Sequence, residues 1–418
     1  MKVESPTLVI FQGGARDSST ALERLVVRSQ TAATLDLISL ASSSNLFSGV
    51  ILVTEDKALR DETLDMAAGG GMPISVQSAP AEPFHFGEAL ARVCAQSNLE
   101  RVVYTGGAAL PLATLSDLES LALAVSGAGS CVAANNLYSS DTAAFYPASA
   151  LGSISLPEAD NDLAYRLHFK AGLPFAPLPR TLPLNFDIDT PTDLAVLSFL
   201  SGYGVPVADG PLDAPSDLLH AGPRGYITPP SSSSVGPRLL NVLADVPTVM
   251  PNLVGNLGGA YGVISTRRAE ALFAGRISSW VWRKLEQDLP CQTRIISEER
   301  GMRASGREDR GEVRSILGFL LDQSGPSGLL STLEQTCQAA FLDTRVLFAH
   351  SNLRPSRAER FASDALLPGE IVDPHIRAFT EAALRSSLPI VLGGHSLISG
   401  GVWALAERVR GSVASRPY

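Results

Sequence analysis

Two aspartates one residue apart, Asp187 and Asp189, have the spacing best suited to chemistry in this chain. They stand in Phe186-Asp187-Ile188-Asp189-Thr190-Pro191-Thr192-Asp193-Leu194, where the apolar segment Leu184–Ile188 reads as a strand and Thr190 opens a helix. A strand there delivers both carboxylates to its carboxyl end, where ligands collect in open α/β sheets. Thr190 suits a helix cap, Pro191 the first turn, and Asp193 stands at capping-box spacing, so Asp193 reads as structural. The bland alternative for Asp187 and Asp189 is that both merely hold the turn.

In the second half the candidates are Arg354, His375, His395 and Ser396. Leu388–Leu392 reads as a strand, Gly393–Gly401 as a glycine-rich turn and Val402–Arg410 as a helix. That succession offers backbone donors to an anion, with His395 and Ser396 placed to bind or protonate a ligand. The spacings of His350, His375 and His395 match no standard metal site, and singly hydrogen-bonded histidines are the better reading. Asn252–Gly262 holds four glycines and reads as a loop permitting close approach of a ligand or another helix. Residues 298–314 mix both charges densely and read as a solvated, self-neutralising ion-pair cluster. No Gly-x-Ser-x-Gly, Walker or His-Glu-x-x-His pattern occurs.

Elements must position these groups. In the first half, strand-like segments at 7–11, 50–54, 73–76, 101–104 and 130–134 alternate with helix-like stretches at 20–42, 86–96, 115–125 and 161–171. Such alternation argues for a mostly parallel, doubly wound α/β sheet. Gly, Pro, Ser and Asp dominate residues 205–237, which read as a linker. Two domains are therefore expected, 1–204 and 238–418, the second a helix-rich α/β domain. Its helices are expected near 266–288, 312–323, 328–340, 373–386 and 401–410, and its strands at 261–265, 345–349 and 390–392.

The 186–194 string, with the order of elements before it, resembles the closing part of MobA-like NTP transferases. That group includes molybdenum-cofactor and 2-phospholactate guanylyltransferases, and the resemblance covers residues 1–204. It implies a nucleotide-diphospho-sugar transferase-like fold that binds an NTP with Mg²⁺ and transfers NMP to a small phosphorylated acceptor. Carried onto this chain, it assigns triphosphate to Gly13 and Gly14, with Arg16 pairing phosphate, and to the second loop Thr105-Gly106-Gly107. It gives the metal to Asp187 or Asp189 and the acceptor to Asn135 or Asn136. Two departures stand out. Ala109 occupies the place of a metal-binding Asp two before Pro111, with Asp17 and Asp56 the nearest substitutes at neighbouring strand ends. None of the four lysines replaces the one that follows the family's first loop.

Composition sets bounds. Hydrophobic residues at 45% and charged residues at 18% fit a folded chain rather than a disordered one. The net charge of −9 is uneven: residues 1–220 hold 11 basic and 24 acidic side chains, residues 221–418 hold 22 and 18. An acidic first half is a poor nucleic-acid platform, and the second half's excess is too small to imply one. No apolar run is long enough to span a membrane, and Met1–Ser5 shows no leader pattern. Four scattered cysteines without a CxxC pair read as buried thiols of a reducing compartment, so a cytoplasmic location is expected. Two main readings stay open: a Mg²⁺-dependent nucleotidyltransferase, or a degenerate, non-transferring nucleotide-binding or scaffold domain with the chemistry around Arg354, His375 and His395. A nucleotide-sugar glycosyltransferase is disfavoured, because Asp187-x-Asp189 comes late in its domain.

Overall fold

The computed structural model describes residues 4–16, 18–79, 83–203 and 235–414. Eleven strands are described: β1 Thr7–Phe11, β2 Gly49–Val53, β3 Ile74–Gln77, β4 Val102–Gly106, β5 Cys131–Ala134, β6 Thr142–Tyr146, β7 Phe175–Pro177, β8 Glu270–Gly275, β9 Gln292–Ser297, β10 Ala339–Asp343 and β11 Ile390–Gly393. The α-helices before the second sheet are α1 Ala21–Ser44, α2 Lys57–Ala68, α3 Phe86–Gln96, α4 Leu115–Ala124, α5 Leu163–Phe169, α6 Pro191–Leu200, α7 Pro237–Leu243, α8 Val246–Val249 and α9 Pro251–Ile264. Those that follow are α10 Ser279–Asp288, α11 Ile316–Thr336, α12 Thr344–His350, α13 Arg357–Asp364, α14 Pro374–Arg385 and α15 Val402–Ala414.

Two compact units result. Of the described residues, the first holds those up to Arg16, those within Val27–Asp187 and 235–239; the second holds Ser18–Val26 and the other described residues. The expected linker lies almost wholly outside the described residues, and the units divide after Asp187.

The first unit is built on a seven-stranded sheet in the order β3-β2-β1-β4-β6-β5-β7. Every pairing is parallel except those of β6. Period-two alternation explains its layers. Leu8, Ile10, Leu52 and Val103 face a core with Ile38 of α1, Leu59 of α2 and Leu118 of α4. Val9, Ile51, Val102 and Tyr104 face the opposite core with Phe86 and Leu90 of α3 and Leu163 of α5. The sheet is thus covered on both faces, a mostly parallel α/β architecture as its alternating sequence foretold. Strand β6 and the short β7 had no sequence signal strong enough to be read.

The second unit holds a wholly parallel sheet, β11-β10-β8-β9. Leu272, Leu342, Ile390 and Leu392 pack with Leu317 and Leu333 of α11, Leu347 of α12, Ala362 of α13 and Phe379 of α14. Phe273 and Phe341 stack 5.0 Å apart. Several expectations fail here. The strands expected at 261–265 and 345–349 are the end of α9 and the body of α12, and the helix expected over 266–288 is β8 followed by α10. Fully buried strands and buried helices share continuous apolar runs, so periodicity cannot separate them. The loop expected at Asn252–Gly262 is helix α9. Its Gly259 lies where a Cβ would meet Pro389 at about 3.0 Å, so small residues serve close helix–strand packing. Among the described residues, no helix is long and apolar enough to cross a membrane.

Candidate functional site

In the first unit, β1 and β4 are adjacent and in register, with Phe11 opposite Gly106. Their carboxyl ends therefore release both glycine loops side by side. The loops behave differently. Gly13, Gly14, Ala15 and Arg16 are exposed, and nothing lies within 4 Å of a Cβ built on Gly13. Gln12 is buried beneath them and its side-chain amide donates to the Gly13 carbonyl at 2.7 Å. The second loop is closed on itself. The Gly106, Gly107 and Ala109 N–H groups donate to the carbonyls of Asp141, Phe11 and Gly106. A Cβ on Gly107 would stand 2.3 Å from Thr34 Oγ1 and 2.4 Å from Gln12 Oε1. Thr105 is buried with its hydroxyl 2.9 Å from that of Thr142. This turn braces the first loop from below, and its glycine answers packing.

Asn135 and Asn136 follow β5. The Asn135 amide donates to the Leu184 carbonyl at 3.0 Å, its oxygen accepts from the Asn136 N–H, and the Asn136 oxygen accepts from Tyr138. Both side chains shape the turn. Through Leu184, Asn135 also tethers the 184–187 segment to the carboxyl end of β5. That segment is not the expected strand: among the described residues it joins neither sheet. Its alternation is nonetheless real: Leu184, Phe186 and Ile188 are buried, Asn185 and Asp187 half-buried, Asp189 exposed. Three strand spacings separate β1 from β5, about 14 Å at ~4.8 Å each. Asp56 caps α2 through Oδ1, and its Oδ2 lies 2.9 Å from where a Cβ on Gly14 would be. Asp17 lies outside the described residues. Ala109 is buried in the closed turn.

A cavity of about 480 Å³ opens between α3 and the ends of β2 and β3, lined by Gln77, Ser78, Ala79, Arg92, Val93 and Gln96 among others. None of the residues singled out from sequence lines it.

Asp189 belongs to the second unit, where Asp193 completes the capping box of α6. Asp193 Oδ2 accepts from the Asp189 and Thr190 N–H groups, the Thr190 hydroxyl and the Ser396 hydroxyl, at 2.7–3.0 Å. Its Oδ1 is buried without a hydrogen-bond partner. Burial, then the neighbouring Asp189 charge, pushes its carboxyl up to about 7.

The expected glycine turn after β11 is short: helix begins at His395 and passes through a π-turn over Leu397–Gly401 into α15. Ser396 is thereby committed to Asp193. His375 is exposed in the first turn of α14, and Arg354 donates to the carbonyls of Glu308 and Asp309. His350 is held by the Ser315 N–H and the Asp322 carboxylate, as a structural histidine should be. Among the described residues, no group of three or more His, Cys, Asp or Glu could hold a metal. The 298–314 run forms the expected ion pairs, Arg303–Glu308, Arg307–Glu299 and Arg310–Glu312. All four cysteines are free thiols, and burial pushes Cys94 up to about 12.

Sequence reading missed a charged group at the carboxyl edge of the second sheet. Arg276, one residue past β8, grips Asp343 at the end of β10 through Nε at 2.6 Å and Nη2 at 3.1 Å. Arg345 grips Asp364 with both terminal nitrogens. Both carboxylates are buried. The missing signal was strand β10: once Ala339–Asp343 is a strand, Asp343 falls at an edge where ligands bind.

No protein-family profile matches the chain, and no curated protein does. Among solved structures, a cytidylyltransferase from Leptospira borgpetersenii is similar at 17% identity, over 47% of this chain and 87% of that one, with a TM-score of 0.34. A protein from Desulfovibrio desulfuricans described as a nucleotide-diphospho-sugar transferase gives 14%, 47%, 87% and 0.34. The 4-diphosphocytidyl-2C-methyl-D-erythritol synthase of Anaerococcus prevotii gives 12%, 46%, 94% and 0.32. Likenesses of this degree leave the chemistry to be read from the chain's own residues.

Proposed function

We propose that the first unit binds an NTP at its carboxyl edge and transfers NMP to a small phosphorylated acceptor, releasing pyrophosphate. The observation that carries this reading is the exposed Gly13–Arg16 loop at the end of central strand β1, on the same sheet edge to which Asn135 tethers the Asp187 segment. Exposed glycines let backbone N–H groups approach phosphate, and Arg16 adds a guanidinium fork. Mg²⁺ is held in such sites by one or two carboxylates plus phosphate oxygens, so Asp187 with substrate oxygens is a fitting donor set. Asp56 Oδ2 lies beside Gly14 and offers a second oxygen to that loop. When bound, the ion would neutralise charge developing on the phosphoryl oxygens. Asp187 would fix its position, and Gln12 would hold the loop open by bracing Gly13.

Ala109 favours a second reading, in which the unit binds nucleotide without transfer. It is buried in a closed turn where the resemblance calls for a metal-binding carboxylate. Thermal melting of the full chain with the common NTPs, with and without Mg²⁺, tests both. Binding at a hundredfold excess over Kd stabilises by about 2.7 kcal/mol. A Mg²⁺-dependent shift with pyrophosphate release supports transfer, and a shift without release supports the second reading. Unaltered melting across the panel would sink both.

A further inference from the structure

A second ligand site suggests itself in the other unit, at the carboxyl edge of its four-stranded sheet. Leu342 pairs with Ala274 and Asp343 with Gly393, so the ends of β8, β10 and β11 finish level with one another. Arg276, Arg345 and His395 each stand one or two residues beyond those ends, within two strand spacings, about 10 Å. The fold has gone to some length to assemble them. Gly275 takes a φ of +137°, and a Cβ on it would stand 2.3 Å from Asp343 Cβ, so only glycine lets Asp343 swing under Arg276. Asp343 accepts from both the side chain and the N–H of Arg276 and from the N–H of Arg345, which locks the two basic residues to one buried carboxylate.

Donors remain after those pairings. Asp343 occupies Nε and Nη2 of Arg276, which leaves Nη1; Thr344 and Asp364 occupy Nη1 and Nη2 of Arg345, which leaves Nε. That Nε lies 3.7 Å from where a Cβ on Gly394 would be. Gly394 itself has no positive φ, and a Cβ there would make only ordinary contacts of 3.6–3.9 Å with Thr190 and Arg345. Neither backbone strain nor packing requires glycine at this position. A bare backbone beside a guanidinium edge does leave room for a ligand.

At His395, Arg276 and Arg300 act against the single charge of Asp343, and the imidazole is largely surrounded by protein although the residue as a whole is exposed. That crowding first, and Arg276 next, push its imidazole down to about 4, so it is neutral at pH 7. Arg345 and Arg360 likewise repel each other across one shared partner, Asp364. Other carboxylates nearby are turned to structural tasks: Glu298 caps the start of α11, and Asp193 lies under Ser396. Asp189 is exposed beside Asp193.

We propose that this edge binds a phosphoryl group between Arg276 Nη1, Arg345 Nε and the His395 imidazole, with Gly394 giving it room. The remaining guanidinium N–H groups make charge-assisted hydrogen bonds to phosphoryl oxygens, and buried Asp343 and Asp364 hold both side chains in place. A bound anion offsets the Arg276 charge that, after burial, disfavours the His395 imidazolium, so binding and protonation are linked.

The experiment follows the His395 ring by NMR in the full chain during titration with inorganic phosphate, the resonance being assigned by its loss in His395→Gln. Bound phosphate should move its titration from about 4 to about 5 or higher, a tenfold preference for the protonated ring. Gly394→Ala should melt as the parent does and weaken phosphate binding at least tenfold. An Arg16→Ala, Asp187→Ala double variant should retain the effect. The proposal falls if millimolar phosphate leaves His395 unmoved, if acetate acts equally, or if the double variant abolishes the effect. Gly394→Ala with undiminished binding would also overturn it.

Discussion

Asp193 shows how a single carboxylate can be both well bonded and strained. Four donors converge on Oδ2 while Oδ1 is sealed from water with none. Its folded pKa of about 7 lies above the ~3.9 of an unfolded Asp. Between those values the native protein keeps a proton that the unfolded chain has released, so stability falls as pH climbs from about 4 to about 7. The loss is on the order of 4 kcal/mol once pH exceeds both values. Urea unfolding at pH 5 and pH 8 should show this slope, and Asp193→Asn should flatten it; an unchanged slope in the variant would assign the effect elsewhere. Asp189→Ala should move the slope to lower pH, since the Asp189 charge helps raise the Asp193 carboxyl. Asp187 has a different task. Asp187→Ala should lower nucleotidyl transfer by roughly 10²–10³, the scale of one electrostatic group, with the melting temperature little changed. Pyrophosphate release under saturating NTP measures the first quantity and a thermal scan the second.

At the scale of elements, the two glycine loops separate into a working loop and a supporting one. A methyl on Gly107 must displace Thr34 and Gln12, and overpacking of this kind costs about 1–3 kcal/mol. Gly107→Ala should therefore lower stability and loosen the first loop through Gln12, weakening nucleotide-dependent stabilisation as well. Gly13→Ala meets no neighbour within 4 Å and should leave stability within about 0.5 kcal/mol. Equal melting losses in the two variants would contradict this division. The elements also show what could be read in advance. β1, β2, β5, α3 and α14 fall within a residue or two of their sequence assignments, because each couples one clear period to a strong stop. The capping box at Thr190–Asp193 was legible for the same reason: it is local chemistry, four residues long. The segment expected as a strand at 184–188 had the right alternation but is not among the described strands. Pairing is non-local, and no pattern within five residues records it.

For the whole molecule, charge and composition narrowed the field before any element was placed. The ion pairs of 298–314 are mostly exposed, so Arg303→Ala should change unfolding free energy by less than about 1 kcal/mol. Urea titration measures that difference, and a larger loss would give the run a structural duty it does not have on this reading. The sequence alone determined a mostly parallel α/β first half, the cap that opens α6 and the solvated character of the charged run. Each depends on periodicity, on neighbours a few residues apart, or on simple charge count. Only the tertiary structure decided that Gly107 is a packing glycine, that Asn135 tethers the Asp187 segment, and that Arg276, Asp343, Arg345 and His395 share one sheet edge. Those facts join residues 49 to over 100 positions apart. They follow from strand order and register, which the burial of both sheet faces sets and which no local window of sequence contains.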